Sequence, residues 1–244
     1  LDAEIYFVPP MKTLLKIKDL NFAYGEVQAL RDITMQVPSK RIVCVMGRNG
    51  VGKTTLLRNI TGLEKPSSGT MSLDGQDLLA LPAYRRVTRG IGYVPQGRMI
   101  FPKLTVEENL LVGLSGGKGR GTEAFDEIHT LFPVLKEMKG RMGGDLSGGQ
   151  QQQLSIGRAL ATNPKLLILD EPTEGIQPNI IQQIGKVLRH LVDEKDMTIL
   201  IVEQYLDFVR EFSHHFYIMN RGRIMEGGET KTLTDNLVKD YLSV

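Results

Sequence analysis

Cysteine is almost missing from this chain. A single residue, Cys44, stands among 244, which excludes an intrachain disulfide and a cysteine-rich metal cluster. Its place in the apolar run "IVCVM" makes it a small core residue. Long apolar runs are missing too. The stretches "LLIL" at 166–169 and "ILIV" at 199–202 fall far short of the roughly 18 residues that a bilayer-crossing helix needs. Both read as buried strands, so any membrane process served here requires another chain to cross the bilayer. An excess of one charge is also lacking. Thirty Lys and Arg against 28 Asp and Glu leave +2, which gives no bulk attraction to nucleic acid or an acidic membrane. The opening "LDAEIYFVPP" carries acids and has neither the basic start nor the long apolar segment of a secretory leader. The expectation is that Met11 begins the natural chain, that residues 1–10 are an extension, and that the protein works in the cytoplasm.

Enough is present for a real core: 41% hydrophobic and 24% charged residues are ordinary globular values. The length fits one large domain or two small ones. After residue 40, strand-like runs alternate with helical patterns, which argues for an α/β layered fold. "RIVCVM" (41–46) reads as a buried strand followed by a glycine loop and a helix over 53–62. "GTMSLDG" reads as a short strand closing in an Asp74-Gly75 turn. Helical patterns dominate from about 105 to 160. Strands resume at 165–170, 198–202 and 216–220, with a helix near 178–192. The glycine-rich "GLSGGKGRG" (113–121) is expected to be a flexible link. No internal repeat is visible.

The strand 41–46 runs into "GRNGVGKTT", which fits G-x-x-x-x-G-K-[ST] at Gly47, Gly52, Lys53 and Thr54. Glycines permit a tight loop whose N–H groups converge on phosphate oxygens, and the following helix adds its positive end. Lys53 then reaches the β- and γ-phosphates of ATP, and the Thr54 hydroxyl ligates Mg²⁺. Arg48, Asn49, Gly50, Val51 and Thr55 complete the expected ATP-binding segment. In "LLILDEP" a buried strand delivers Asp170 to its carboxyl end, where ligands of open α/β sheets collect. Asp170 is a candidate Mg²⁺ holder, and Glu171 a candidate base that orients or deprotonates water. Without the phosphate loop upstream, an ordinary solvated acidic pair would be the better reading.

"DLSGGQQQQLSIGRAL" (145–160) offers a second anion site. Ser147 with Gln150 fits the S-x-x-Q capping box. Gly148 and Gly149 leave backbone N–H groups open to a phosphate. The four glutamines fan around the helix at about 3.6 residues per turn, so they form no single face, and most are expected to be a polar first turn.

The phosphate loop, "LSGGQ" and "LLILDE", in that order, resemble the ATPase subunits of ATP-binding-cassette transporters. The resemblance covers residues 12 to about 230. It implies a phosphate-loop core over 11–96 and 161–230, a helical subdomain over 97–160, N-terminal antiparallel strands and a C-terminal helical tail over 231–244. It also implies a head-to-tail dimer, either a homodimer or a heterodimer with a paralogous ATPase. There Ser147, Gly148, Gly149 and Gln150 cap the partner's ATP. Tyr24 in "FAYG" matches the adenine-stacking aromatic, with a core aromatic as the plain alternative. Gln96 in "YVPQGR" matches the glutamine that senses Mg²⁺ and the attacking water.

Two departures stand out. "TEGIQP" (173–178) lacks the common small-residue-then-Asp form, and Gln204 in "VEQYLDF" replaces the usual His, so it can donate a hydrogen bond but carry no charge. His214 and His215 are read as packing or surface residues. "GRNGVGKTT", "LFPVLKEMKGRMGGDLSGGQQQQLSIGRAL", "DEPTEGIQP" and "VEQYLDF" are together most similar to the ATPase of urea and short-chain amide importers. The related branched-chain amino acid importers are the alternative. Such importers imply transmembrane permease subunits, an indirect substrate-binding protein, and a peripheral place on the cytoplasmic face of the inner (cell) membrane. From other classes, a soluble cassette ATPase lacks support because no long heptad insertion is present. A regulatory module without hydrolysis is disfavoured by Glu171.

Overall fold

The computed structural model describes residues 12–116, 121 and 123–242. The expected extension 1–10, Met11, the middle of the glycine-rich link and the last two residues of the expected tail lie outside them. β1 (Thr13–Tyr24) and β2 (Val27–Pro38) open the described chain, and β3 (Ile42–Met46) leads into α1 (Lys53–Thr61). The hairpin β4 (Ser68–Leu73) and β5 (Gln76–Asp77) follows, then α2 (Ala83–Thr88) and β6 (Ile91–Val94). Next come α3 (Val106–Gly116), α4 (Glu123–Leu131), α5 (Pro133–Glu137) and α6 (Gly148–Leu160). β7 (Leu166–Asp170), α7 (Pro178–Asp193), β8 (Thr198–Glu203), α8 (Leu206–Phe212) and β9 (His215–Asn220) complete the central layer. β10 (Arg223–Glu229) and α9 (Asp235–Leu242) end it.

Two sheets result. The antiparallel one has the order β2-β1-β4-β5, and the larger has the order β10-β9-β3-β8-β7-β6. In the larger sheet β9, β3, β8, β7 and β6 run parallel, and only β10 runs against them. Alternate residues of each central strand face opposite sides. Ile42, Cys44, Leu167, Leu169, Ile199 and Ile201 pack with the helices, including Leu154, Ile184 and Leu188. Val43, Val45, Leu166, Ile168, Leu200 and Val202 pack instead with α1 and the antiparallel sheet, including Leu56, Ile17 and Ile33. Burial on both faces explains the unbroken apolar runs. Each such side chain contributes about 1.5–3 kcal/mol. Cys44 is one of them, and burial pushes its thiol well up, which makes it inert. The chain thus adopts the expected α/β phosphate-loop fold with N-terminal antiparallel strands and an inserted helical layer.

Two expectations need correction. Residues 113–116 are not a link but the last turn of α3. A Cβ on Gly113 would sit 2.3 Å from the Arg158 carbonyl oxygen, so glycine is there to let α3 and α6 approach closely. The glutamine run is also more than a polar turn. Gln152 and Gln153 are buried, and Gln153 Nε2 donates to Gln183 Oε1 of α7 at 3.0 Å. Packing of α6 against α7 fixes that side of the helix.

Candidate active site

All five residues of β3 are buried, so the strand is a rigid stem for the loop that follows. Gly52 takes φ +109° as the N-cap of α1, and a Cβ there would lie 2.8 Å from the Ala29 carbonyl oxygen. Only glycine fits both constraints. The cap supplies no side-chain bond, and the first turn of α1 holds no acid, which leaves its N–H groups and positive end to an anion. Asn49, Gly50, Val51, Gly52, Lys53, Thr54 and Thr55 line a cavity of about 720 Å³ together with Tyr24, Gln96 and Glu171. Tyr24 is 44% exposed, and its ring stands perpendicular to that of Phe22, with centroids 4.7 Å apart. The ring is therefore partly open to a planar ligand in the cavity it lines. Gly47 and Arg48 do not line the cavity. Their carbonyls accept from Lys53 Nζ at 2.8 and 2.9 Å, and so fix the ammonium within the loop. Arg31 and Arg221 also line it. These cations escaped the sequence reading, because chain folding alone brings them beside the loop.

At the end of β7, Asp170 is 1% exposed. Its Oδ1 accepts from Thr54 Oγ1 at 3.2 Å and its Oδ2 from the Tyr93 hydroxyl at 3.4 Å. Burial pushes the carboxyl up to about 6, against the lowering effect of the Thr54 bond. Glu171 follows with φ +48°, a left-handed conformation that costs a non-glycine residue energy and clusters at functional sites. Its N–H donates to Val202 O at 2.9 Å, which holds the turn. The turned side chain meets Lys53, with Oε1 3.3 Å from Nζ.

Two amides hold the same carboxylate. Gln204 Nε2 donates to Glu171 Oε1 at 2.8 Å and to Asn49 Oδ1 at 2.7 Å. Gln96 Nε2 donates to Glu171 Oε2 at 3.2 Å. Glu203 was not singled out by sequence, yet it organises both loops. It is 2% exposed, and its Oε1 accepts from the Thr173 N–H and hydroxyl at 3.0 and 2.7 Å. Its Oε2 accepts from the N–H groups of Gln204 and Tyr205 at 2.9 and 3.2 Å. Burial raises its carboxyl above the ordinary range, and these bonds oppose the rise. The histidines stand apart from this cluster. His214 Nδ1 accepts from the Ile42 N–H at 3.0 Å, and burial lowers its imidazole to about 4, so it is a neutral packing group.

Gln204 bridges two acceptors through one nitrogen because an amide has two N–H bonds, whereas an imidazole nitrogen has one. Gln204→His gives up one of these bonds but gains a ring that can carry charge and pass a proton, and on that ground it is expected to raise turnover severalfold at neutral pH. It should also add an ionisation near about 6.5 that the wild-type pH–rate profile lacks. Superimposable profiles, measured by phosphate release, would show that the replacement of the usual His is without consequence.

The second glycine-rich helix start lies elsewhere on the molecule. Ser147 caps α6: its Oγ accepts from the Gln150 N–H at 3.4 Å, and its own N–H donates to Gln150 Oε1 at 2.9 Å. The expected capping box is formed. Ser147, Gly148, Gly149 and Gln150 line a separate cavity of about 300 Å³ with Gly175, Gln177 and Ile180. It shares no lining residue with the phosphate-loop cavity.

The donors near the loop suit Mg²⁺. Thr54 Oγ1 and Asp170 Oδ1 are hard oxygens 3.2 Å apart, and Gln96 lines the same cavity as Thr54. Among the described residues, no three His, Cys, Asp or Glu cluster to form a complete metal cage. A Mg²⁺ held there would take one carboxylate from the chain, with substrate phosphates and water completing its shell.

Residues 30–174 match the family model described as ABC transporter. The high-affinity branched-chain amino acid transport ATP-binding protein BraG of Pseudomonas aeruginosa is 39% identical over 93% of this chain and 98% of its own length. The probable branched-chain amino acid transport ATP-binding protein LivF of Archaeoglobus fulgidus is 35% identical over 91% and 95%. Among solved structures, a dimeric post-hydrolysis state of the ATP-binding cassette MJ0796, bound to ADP and Pi, superposes with a TM-score of 0.80. It shares 26% identity and covers 90% of this chain and 100% of its own. No helix of the described residues is long and apolar enough to cross a membrane. With its phosphate loop, its paired carboxylates and its Ser147-capped, glycine-led helix in one fold, the chain belongs to the ABC transporter family and is one of its ATPases, hydrolysing ATP to power transport.

Proposed function

We propose that this chain works as one of two ATPase subunits of an importer for urea or short-chain amides. It would sit on the cytoplasmic face of the inner membrane and dock on separate permease subunits that a substrate-binding protein supplies. The observation that carries the dimeric reading is the division of the site. A phosphate-loop cavity and a signature cavity with no residue in common make sense when each serves a different ATP. Two chains then close head to tail, with Ser147, Gly148 and Gly149 of one over the triphosphate held by the other. Exposed Met99, Phe101 and Met142 lie on or near the segment after Gln96 and supply an apolar face for the permease.

In this reading Tyr24 stacks on adenine, and the loop N–H groups with Lys53 take the phosphates. Lys53 exchanges the Gly47 and Arg48 carbonyls and Glu171 for phosphate oxygens. Glu171, freed of the ammonium and held by Gln204 and Gln96, orients water and accepts its proton. Asp170 and Thr54 would hold Mg²⁺, with Gln96 lining the same cavity as Thr54. Such an ion would supply positive charge against the phosphates. Positioning and charge stabilisation supply the acceleration. ATP bound between two chains favours the closed pair by mass action.

The cargo rests on the resemblance of "DEPTEGIQP", "VEQYLDF" and the segment 131–160 to the urea importer's ATPase. A second reading, import of branched-chain amino acids, is favoured by the two relatives named above. The test is hydrolysis by the complex purified with its permease and receptor and reconstituted in vesicles. Urea or acetamide should accelerate it several-fold, and leucine should not. Stimulation by leucine alone would replace the first reading with the second. Hydrolysis by a chain that captures no permease would remove both.

A further inference from the structure

Gln96 Nε2 has two hydrogens and two carboxylates to receive them. One is Glu171, the other Glu174, whose Oε2 lies 3.0 Å away. Both acceptors are carboxylates, so the atom facing them must be the nitrogen. The amide oxygen of Gln96 is thereby turned to the other side. Glu174 stands in the loop that departs from the family's small-residue form, and its carboxylate would be an unexplained charge there without this contact. The same loop is tied a second time, because Arg98 Nη2 donates to the Glu174 carbonyl at 3.3 Å. Arg98 in turn lies against the start of α6. A Cβ on Gly148 would meet its guanidinium at 3.1 Å, and Ser155 Oγ donates to the Arg98 carbonyl at 2.6 Å.

We infer that Glu174 is a positioning residue that orients the Gln96 amide and couples the 96–98 segment to the signature helix start. The inference rests on the role of Gln96 in the reading above. With both N–H groups of Gln96 anchored on Glu171 and Glu174, the amide is held in one orientation, with its oxygen facing away from both carboxylates. Remove Glu174 and the amide keeps a single anchor, about which it rotates. The Gly148 end of α6 then loses its indirect hold on Gln96, since Arg98 contacts a loop that no longer grips the amide.

Glu174→Ala is expected to lower kcat roughly fivefold while KM for ATP stays within about twofold, the loss of a bond to a charged group at a partly exposed site. Glu174→Gln keeps an acceptor oxygen and should restore most of the rate. On top of Gln96→Ala, the Glu174→Ala change should cost little more, as expected for two residues acting through one contact. A readout that needs no turnover is amide hydrogen exchange at Arg98 and Met99, whose N–H groups donate to Pro95 O and Gly97 O. Exchange there should quicken in Glu174→Ala and stay at the wild-type rate in Glu174→Gln. Unchanged exchange in Glu174→Ala, or additive losses in the double variant, would overturn the assignment. So would a Glu174→Gln variant as slow as Glu174→Ala. Failure of the wild type to hydrolyse ATP would count against the ATPase mechanism, and the exchange result would still decide the role of Glu174.

Discussion

Glu171→Gln is expected to cut steady-state ATP hydrolysis by about 10²–10⁴-fold, the range contributed by a positioned general base, while nucleotide still binds. The geometry gives two reasons. Glu171 is the carboxylate that Gln204 and Gln96 aim from both sides, and an amide in its place cannot accept a proton from water. It is also the partner of Lys53, at 3.3 Å. A triphosphate arriving at the loop must compete with this carboxylate for the ammonium and meets its like charge. Removing the charge relieves both effects, so affinity for ATP should rise by roughly tenfold, the low end of the coupling energies of close charge pairs. Tighter nucleotide with no turnover leaves the closed pair standing, and size-exclusion chromatography with ATP should show a dimer that the wild type does not accumulate. Hydrolysis at the wild-type rate would remove Glu171 from the chemistry and leave the residues around it without a purpose.

The legible part of this site is the part whose chemistry is local. "GRNGVGKTT" announces itself because a phosphate cradle needs consecutive N–H groups, a glycine at the left-handed turn and a lysine one residue on. "LLILDE" is readable because a strand buried on both faces must be apolar, so the two acids that close it stand out at its carboxyl end. Glu203 was invisible for the opposite reason. It sits at the end of a strand that reads as plain hydrophobic sequence, and its partners come from Thr173 as well as its own neighbours. Arg31 and Arg221 were missed because their positions beside the loop follow from folding rather than spacing. Gln152 and Gln153 misled because a helix start with four glutamines says nothing about rotation, which packing on α7 decides. Gly113 misled because glycine signals both a flexible link and a tight helix crossing, and only the Arg158 carbonyl beside it separates the two. The N-terminal antiparallel strands, expected from family resemblance alone, include the long pair β1 and β2. Register shifts along that pair blur the simple alternation that would have revealed it.

Lys53→Ala should weaken ATP binding by about 10²-fold or more, since truncating one member of a desolvated charge contact costs roughly 2–5 kcal/mol. Lys53 is 4% exposed, and its ammonium already spends its donors on Gly47 O, Arg48 O and Glu171. Phosphate oxygens replace these partners on binding, so the residue's value lies in a charge held ready inside the loop. The substitution removes that charge and also leaves Glu171 facing the phosphates with nothing to offset it. The two losses act in the same direction. Thermal unfolding separates them: with no nucleotide, Lys53→Ala should lower Tm, because a carboxylate at a nearly buried site has lost its counter-charge. Adding Glu171→Gln to Lys53→Ala should then recover part of the lost stability, a non-additivity that marks direct contact. Affinity should recover only in part, since the phosphates still lack their cation. Lys53→Met keeps the apolar stem and should reproduce the affinity loss, which assigns the effect to charge rather than to packing. The chain has no tryptophan, so calorimetric titration is the direct measure. Equal ATP affinity in wild type and Lys53→Ala would contradict the assignment of this loop to phosphate, and with it the reason for Gly52 at φ +109° and for an α1 whose first turn holds no acid.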